Sequence, residues 1–199
     1  MKTVIIKYNA GNIFSVDYAL KRLGVDAEIT GDIEKIKAAD KVIFPGVGEA
    51  ETTMTYLRRH KLDEVIRELK QPVLGICIGM QLMCQSSEEG GNVSCLGIFD
   101  EKVKLFIPTE KEHKVPHMGW NTVQCAGSPL FSGLPQDPYF YYVHSYYATV
   151  GKNTIATTDY IHPYSAVLQK NNFYAVQFHP EKSGAMGEVV LRNFLKITE

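Results

Sequence analysis

The chain has 199 residues, a formal net charge of −1, 45% apolar residues and 11% aromatic ones. That length supports a full hydrophobic core and reads as one domain spanning 1–199. The near-even charge balance leaves no basic excess for nucleic acid and no charge block for a disordered tail, and no apolar run is long enough to cross a bilayer.

The N-terminal MKTVIIKYNAGN carries one lysine and a brief apolar run, then turns polar, so it reads as a first strand and not as a secretion signal. After Gly11-Asn12, apolar residues at Ile13, Val16, Ala19, Leu20 and Leu23 recur at helical spacing until Gly24 stops the pattern. Lys41-Val42-Ile43-Phe44 is a buried-type strand. The segment 52–69 has helical periodicity through Leu62, Val65, Ile66 and Leu69. Pro72 to Ile76 is a short strand that feeds a turn, with Met80, Leu82, Met83 and Cys84 in a helix beyond. Strands separated by helices predict right-handed crossovers and a mostly parallel sheet.

The second half has a different texture. Segments 96–107, 120–125, 139–150 and 166–178 are strand-like, and Asn171-Asn172 is a hairpin turn signal. Ser183 is placed to cap a last helix with apolar positions Met186, Val189, Val190, Phe194 and Leu195. The expected architecture is a parallel α/β sheet flanked by helices, with antiparallel strands added by the C-terminal half.

The four cysteines, Cys77, Cys84, Cys95 and Cys125, contain no CxxC pair. A zinc cluster and a disulfide framework are therefore not expected, and the default is a reduced cytoplasmic protein without metal or cofactor. Cys77 stands out because it sits between two glycines in Gly75-Ile76-Cys77-Ile78-Gly79. It reads either as a small buried hydrophobe or as a nucleophile at a strand-to-helix elbow. Cys84, seven residues on, reads as core, and Cys95 and Cys125 as structural.

A nucleophilic thiolate needs a base and an orienting acid. Gln177-Phe178-His179-Pro180-Glu181, at the end of the final strand, supplies His179 and Glu181. In an extended strand, positions two apart point to the same side. Pro45-Gly46-Val47-Gly48 follows an earlier strand, and ligands of such sheets sit beyond the strands' carboxyl ends. Backbone N–H groups of Ile78 and of the Gly46-Val47-Gly48 loop are candidates for an oxyanion hole. None of His60, His113, His117, His144 and His162 has an acid at a comparably rigid spacing.

Together GICIGMQ, PGVG and QFHPE resemble the triad-type (class I) glutamine amidotransferases, whose fold is flavodoxin-like. Tyr8-Asn9-Ala10-Gly11-Asn12, Pro116-His117-Met118-Gly119-Trp120-Asn121 and Tyr142-Val143-His144-Ser145-Tyr146 narrow the resemblance to the glutaminase (HisH-type) subunits of imidazole glycerol phosphate synthase. One departure is Lys7, where an acidic residue commonly precedes the tyrosine. The resemblance implies a Cys77–His179–Glu181 triad that hydrolyses glutamine to glutamate and ammonia. Gln81, Glu89, Ser145 and Tyr146 would bind the substrate's amino-acid end, and Glu89 reads otherwise as a solvated loop acid beside Glu88. It also implies a heterodimer with a (β/α)8-barrel cyclase (HisF-type), which uses the ammonia to convert PRFAR to imidazole glycerol phosphate and AICAR. Asn12, Pro116, His117, Met118, Trp120 and Asn121 would lie at that interface. Three other readings are weighed: a glutaminase that feeds a different synthase, a cysteine hydrolase on the same fold, and a catalytically silent scaffold that binds the cyclase, against which the intact Cys77, His179 and Glu181 argue.

Overall fold

The computed structural model describes residues 1–8, 13–46, 48–125 and 127–198. Its centre is an eight-stranded sheet. The parallel part begins with strands β1 (Thr3–Ile6), β2 (Glu28–Thr30), β3 (Lys41–Phe44) and β4 (Val73–Ile76). They lie in the order β2-β1-β3-β4, and the strand Phe173–Val176 adds parallel to β4. Beyond it the strands Pro163–Lys170, Thr154–Asp159 and Gln124–Cys125 continue the sheet antiparallel. The mostly parallel α/β sheet expected from the alternating pattern is what the chain forms.

Side chains on a strand alternate between faces, and here each face feeds its own core. Val4, Ile6, Val42, Phe44 and Val73 join one cluster, covered by the helices Ala50–Arg59, Leu62–Glu68 and Ile78–Met83. Ile5, Ile43, Leu74 and Ile76 join the other, covered by Ile13–Arg22 and Gly184–Lys196. Both faces are buried, which is why these strands are continuous apolar runs instead of alternating ones.

Several local expectations change. The periodic segment 52–69 is two helices, interrupted where Lys61 adopts a left-handed φ of 57°. The apolar spacing continues through that break because both helices pack on the same sheet face. Strand Glu28–Thr30, helix Ile33–Lys37 and strand Thr154–Asp159 carried no clear signal. The first two are very short, and the third is polar, TIATTD, at partly buried positions. Segment 96–107 is a strand only over Lys102–Leu105, which joins a separate four-stranded sheet with Tyr146–Ala148, Ser86–Ser87 and Val93–Ser94. Segment 139–150 splits at Ser145. Tyr139–His144 pairs with His117–Thr122, whereas Tyr146–Ala148 pairs with Lys102–Leu105. The predicted hairpin at Asn171-Asn172 is present, with Asn171 at φ 53°. Among the described residues no helix is long and apolar enough to cross a membrane.

Candidate active site

Strand β4 ends at Ile76, and the next residue is the cysteine. Cys77 has φ 52° and ψ −112°, a conformation that costs a non-glycine residue energy and is held only where its surroundings over-determine it. Two of those surroundings are glycines. A Cβ on Gly46 would lie 2.6 Å from the Ile78 nitrogen and 2.7 Å from the Gly79 nitrogen, and one on Gly79 would strike the carbonyl of Phe44. The end of β3 therefore packs backbone to backbone against the elbow, and only glycine allows that approach. The Cys77 N–H is tied to the Val176 carbonyl at 2.8 Å. The sequence reading of an elbow at the end of a parallel strand is thus realised in the backbone.

His179 and Glu181 arrive from the far side of β4. His179 Nδ1 lies 2.8 Å from Glu181 Oε1, and both side chains are 2% exposed. Their alignment does not come from an extended strand, as the spacing suggested. His179 is the last extended residue, and Pro180–Lys182 turn as a 3-10 helix. The turn folds the carboxylate back onto the ring. Ser183 occupies the N-cap position of the last helix, but its hydroxyl does not cap it. Instead it donates to the His179 carbonyl at 2.6 Å and accepts from the Tyr141 N–H at 2.9 Å. With the His179 N–H bonded to the Tyr141 carbonyl at 2.9 Å, the histidine's backbone is held on both sides.

Burial alone would push the His179 imidazole down. The charge and hydrogen bond of the Cys77 sulfur, with those of Glu181, reverse this and hold it at about 10. The ring lies between a sulfur and a carboxylate, a setting that favours its protonated form, as a thiol activated by a paired base requires.

Beside the thiol is a cavity of about 170 Å³ lined by Gly48, Cys77, Ile78, Gln81, Glu89, Val143, His144, Ser145 and Tyr146. The four residues read as substrate contacts all reach its wall, though they come from separate elements. Glu89 is half-buried and accepts from the Ala50 N–H at 2.9 Å, so it also caps the helix Ala50–Arg59. Burial pushes its carboxyl up, with that N–H pulling the other way. Gln81 donates from Nε2 to the Tyr146 carbonyl at 2.8 Å and to Gln177 Oε1 at 2.9 Å. Gly46 packs under the elbow and Gly48 lines the cavity at φ 136°, whereas Val47 lies outside the described residues.

Two further histidines form a separate buried group. His144 Nδ1 is 2.7 Å from the Tyr146 carbonyl, so that nitrogen carries the proton. Its Nε2 then accepts, with His117 Nδ1 at 3.3 Å and the Tyr164 hydroxyl at 3.4 Å. Burial lowers His117 to about 4 and His144 to about 3, the latter against the pull of its hydrogen bond to Tyr146.

On the strand His117–Thr122, Met118 and Trp120 are 62% and 55% exposed, and Pro116 is exposed as well. His117 is turned inward between Tyr142 and Tyr160, so its side chain belongs to the core and not to a surface. Asn121 is half-buried and donates to the Asp159 carbonyl at 2.9 Å. Asn12 lies outside the described residues. Cys84 and Cys95 are buried, with burial raising both thiols, and all four cysteines are free. Among the described residues no His, Cys, Asp and Glu side chains cluster as a metal site. What sequence reasoning missed is Gln177 and Tyr141, and for Ser183 it found the position but not the contacts, which depend on partners that folding brings together.

A cysteine at a strained strand-to-helix elbow, with a histidine and an acid delivered by the neighbouring parallel strand, defines a class of amide-cleaving α/β enzymes. The family described as "Glutamine amidotransferase class-I" matches residues 4–197, and the chain belongs to that family. It is similar to the "Imidazole glycerol phosphate synthase subunit HisH" of Bacteroides fragilis, at 66% identity over 99% of this chain and 100% of that protein. The protein of the same name from Bacteroides thetaiotaomicron is 63% identical over 99% and 100%. A solved structure described as a glutamine amidotransferase shares the fold, with a TM-score of 0.74 at 18% identity, covering 97% of both chains.

Proposed function

We propose that this chain is the glutaminase subunit of an imidazole glycerol phosphate synthase, acting in histidine biosynthesis in the cytoplasm. The observation that carries the reading is the Cys77 thiol paired to a raised His179 at the edge of a small polar cavity.

Cys77 Sγ attacks the side-chain carbonyl carbon of glutamine, forming a C–S bond and a tetrahedral oxyanion. In this reading the N–H groups of Ile78, Gly46 and Gly48 stabilise the oxyanion. His179, already protonated, gives its proton to the amide nitrogen as the C–N bond breaks, and ammonia leaves. The neutral imidazole then takes a proton from water, which adds to the thioester. Collapse expels the Cys77 thiolate and releases glutamate, and His179 is again the imidazolium. Glu181 holds the ring in register through its contact with His179 Nδ1. Gln81, Glu89 and the Ser145-Tyr146 segment contact the amino-acid end, where a carboxylate suits the ammonium and N–H donors suit the carboxylate.

The ammonia passes to a cyclase subunit that converts PRFAR to imidazole glycerol phosphate and AICAR. The exposed Met118 and Trp120, with Pro116 and Asn121 beside them, form a docking strand of the aromatic and methionine type that interface centres favour. The test is glutamate release by the chain alone, with a matched cyclase, and with cyclase plus its nucleotide substrate. The rate should rise at each addition. Equal rates in all three refute the partnership, and no rate in any refutes the glutaminase.

A further inference from the structure

Gln177 is fully buried, directly before the catalytic histidine's segment, and the chemistry above gives it no task. Its Nε2 lies 3.7 Å from Cys77 Sγ, within hydrogen-bond range for sulfur. An amide's oxygen and nitrogen are hard to tell apart by shape, so the sense of that contact must come from the network. Here the network leaves one solution. The Tyr146 carbonyl is only an acceptor, so the Gln81 atom 2.8 Å from it is the nitrogen. That same nitrogen reaches Gln177 at 2.9 Å, so it meets the Gln177 oxygen. The Gln177 nitrogen is then the atom that faces the thiol.

His144 secures the anchor of the chain. Its protonated Nδ1 donates to the same Tyr146 carbonyl at 2.7 Å, and its burial as a neutral ring keeps it there. The order runs from a backbone carbonyl through two carboxamides to the sulfur, and reversing any member would set donor against donor or acceptor against acceptor.

We infer that Gln177 is a further catalytic residue, whose carboxamide donates a hydrogen bond to the Cys77 sulfur and is locked in that sense by Gln81 and the Tyr146 carbonyl. This rests on the glutaminase reading above for its chemical role. A donor aimed at sulfur favours the thiolate over the thiol before attack. It acts again in the second half of the reaction, when the C–S bond breaks and the sulfur leaves with the electron pair. In the thioester between these steps the sulfur is a poor acceptor, so the contact is strongest where negative charge resides.

The test combines two readouts on the chain paired with a matched cyclase. One is alkylation of Cys77 by iodoacetamide at pH 7, followed at that residue by peptide mass. The other is glutamine turnover. Gln177→Met keeps the length and loses the donor. It should slow Cys77 alkylation and lower kcat, each by about tenfold, with KM within about twofold, since a hydrogen bond to a charged group contributes that order of effect. Gln177→Glu keeps an acceptor for Gln81 and places an oxygen against the sulfur, so both losses should be larger. A purely structural glutamine would leave alkylation of the folded variants at the wild-type rate, and that result overturns the inference. A wild-type protein that is alkylated normally but releases no glutamate overturns the glutaminase reading instead, so the two failures are distinguishable.

Discussion

Two buried histidine environments border the Cys77 thiol, and their rings ionise in opposite directions. His179 is raised to about 10, although burial pushes it down, because the sulfur and Glu181 flank it. His117 and His144 fall to about 4 and 3, because their hydrogen-bonding neighbours are each other, Tyr164, Asn121 and a carbonyl. Burial alone makes an imidazole neutral, and only an anion close by makes it a cation. The fold therefore holds one residue type in two settings, raised between a sulfur and a carboxylate on one side and lowered among neutral groups on the other. The difference is set by what the neighbouring strands bring into contact.

Removing the sulfur breaks the contrast most severely. Cys77→Ala should abolish glutamine hydrolysis and glutamine-dependent synthesis, while a complex with the cyclase still works on added ammonia, because the proposed function puts the ammonia-using site on the cyclase. The His179 imidazole, followed by NMR titration in that variant, should fall as the sulfur's contribution disappears. Retained glutamate release would overturn the nucleophile, and Cys84→Ala is the control that should stay active.

Removing the cation is the next largest effect. His179→Asn should lower turnover by ~10²–10⁴-fold, the usual range for loss of a general acid and base. Glu181→Gln should cost less, because it keeps the proton carrier and weakens only its orientation and charge support. Steady-state glutamate release measures both, and a larger loss in Glu181→Gln would reverse their roles.

The same contrast shows in stability against pH. His117 and His144 have folded pKa values below the unfolded value of about 6.5. The unfolded chain therefore binds more protons, and the stability they contribute, present above pH 6.5, is lost as pH falls towards 4 and 3. Each should add at most about 1.4 kcal/mol per pH unit to the slope in urea unfolding. His144→Asn keeps an N–H for the Tyr146 carbonyl and removes one titration, so the acid slope should shrink. His179 carries the opposite sign: its contribution is fully present below pH 6.5 and lost as pH rises towards 10.

The smallest expected effect separates the two faces of one strand. Trp120 points out while His117 points in. Trp120→Ala should weaken cyclase binding by roughly tenfold, as loss of an aromatic anchor does, and leave acid stability unchanged. Isothermal titration against the cyclase and urea unfolding read the two separately. A change in acid slope would show that the faces are not independent.

The elbow at Cys77 and the contact of His179 with Glu181 were legible in the chain itself, because each is a local pattern. A glycine on either side of Cys77 permits the bend, and His179 and Glu181 are two residues apart. The alternating strands and helices of the first half were legible for the same reason, since their apolar spacing follows from the backbone's own period. The two-helix break at Lys61 was not, because the sheet face that both helices cover keeps the apolar rhythm continuous across it. Nor was the turn that aligns Glu181, the hydroxyl of Ser183 spent on His179, or the inward side of His117. Least visible was the chain from Tyr146 through Gln81 to Gln177 and the thiol, whose members are 65, 96 and 100 residues apart at successive contacts. Which residues are the candidates for the chemistry was thus set by sequence. Its charge state and the sense of its hydrogen bonds were decided only in three dimensions, because electrostatics and directionality depend on partners that folding alone brings within a few ångströms.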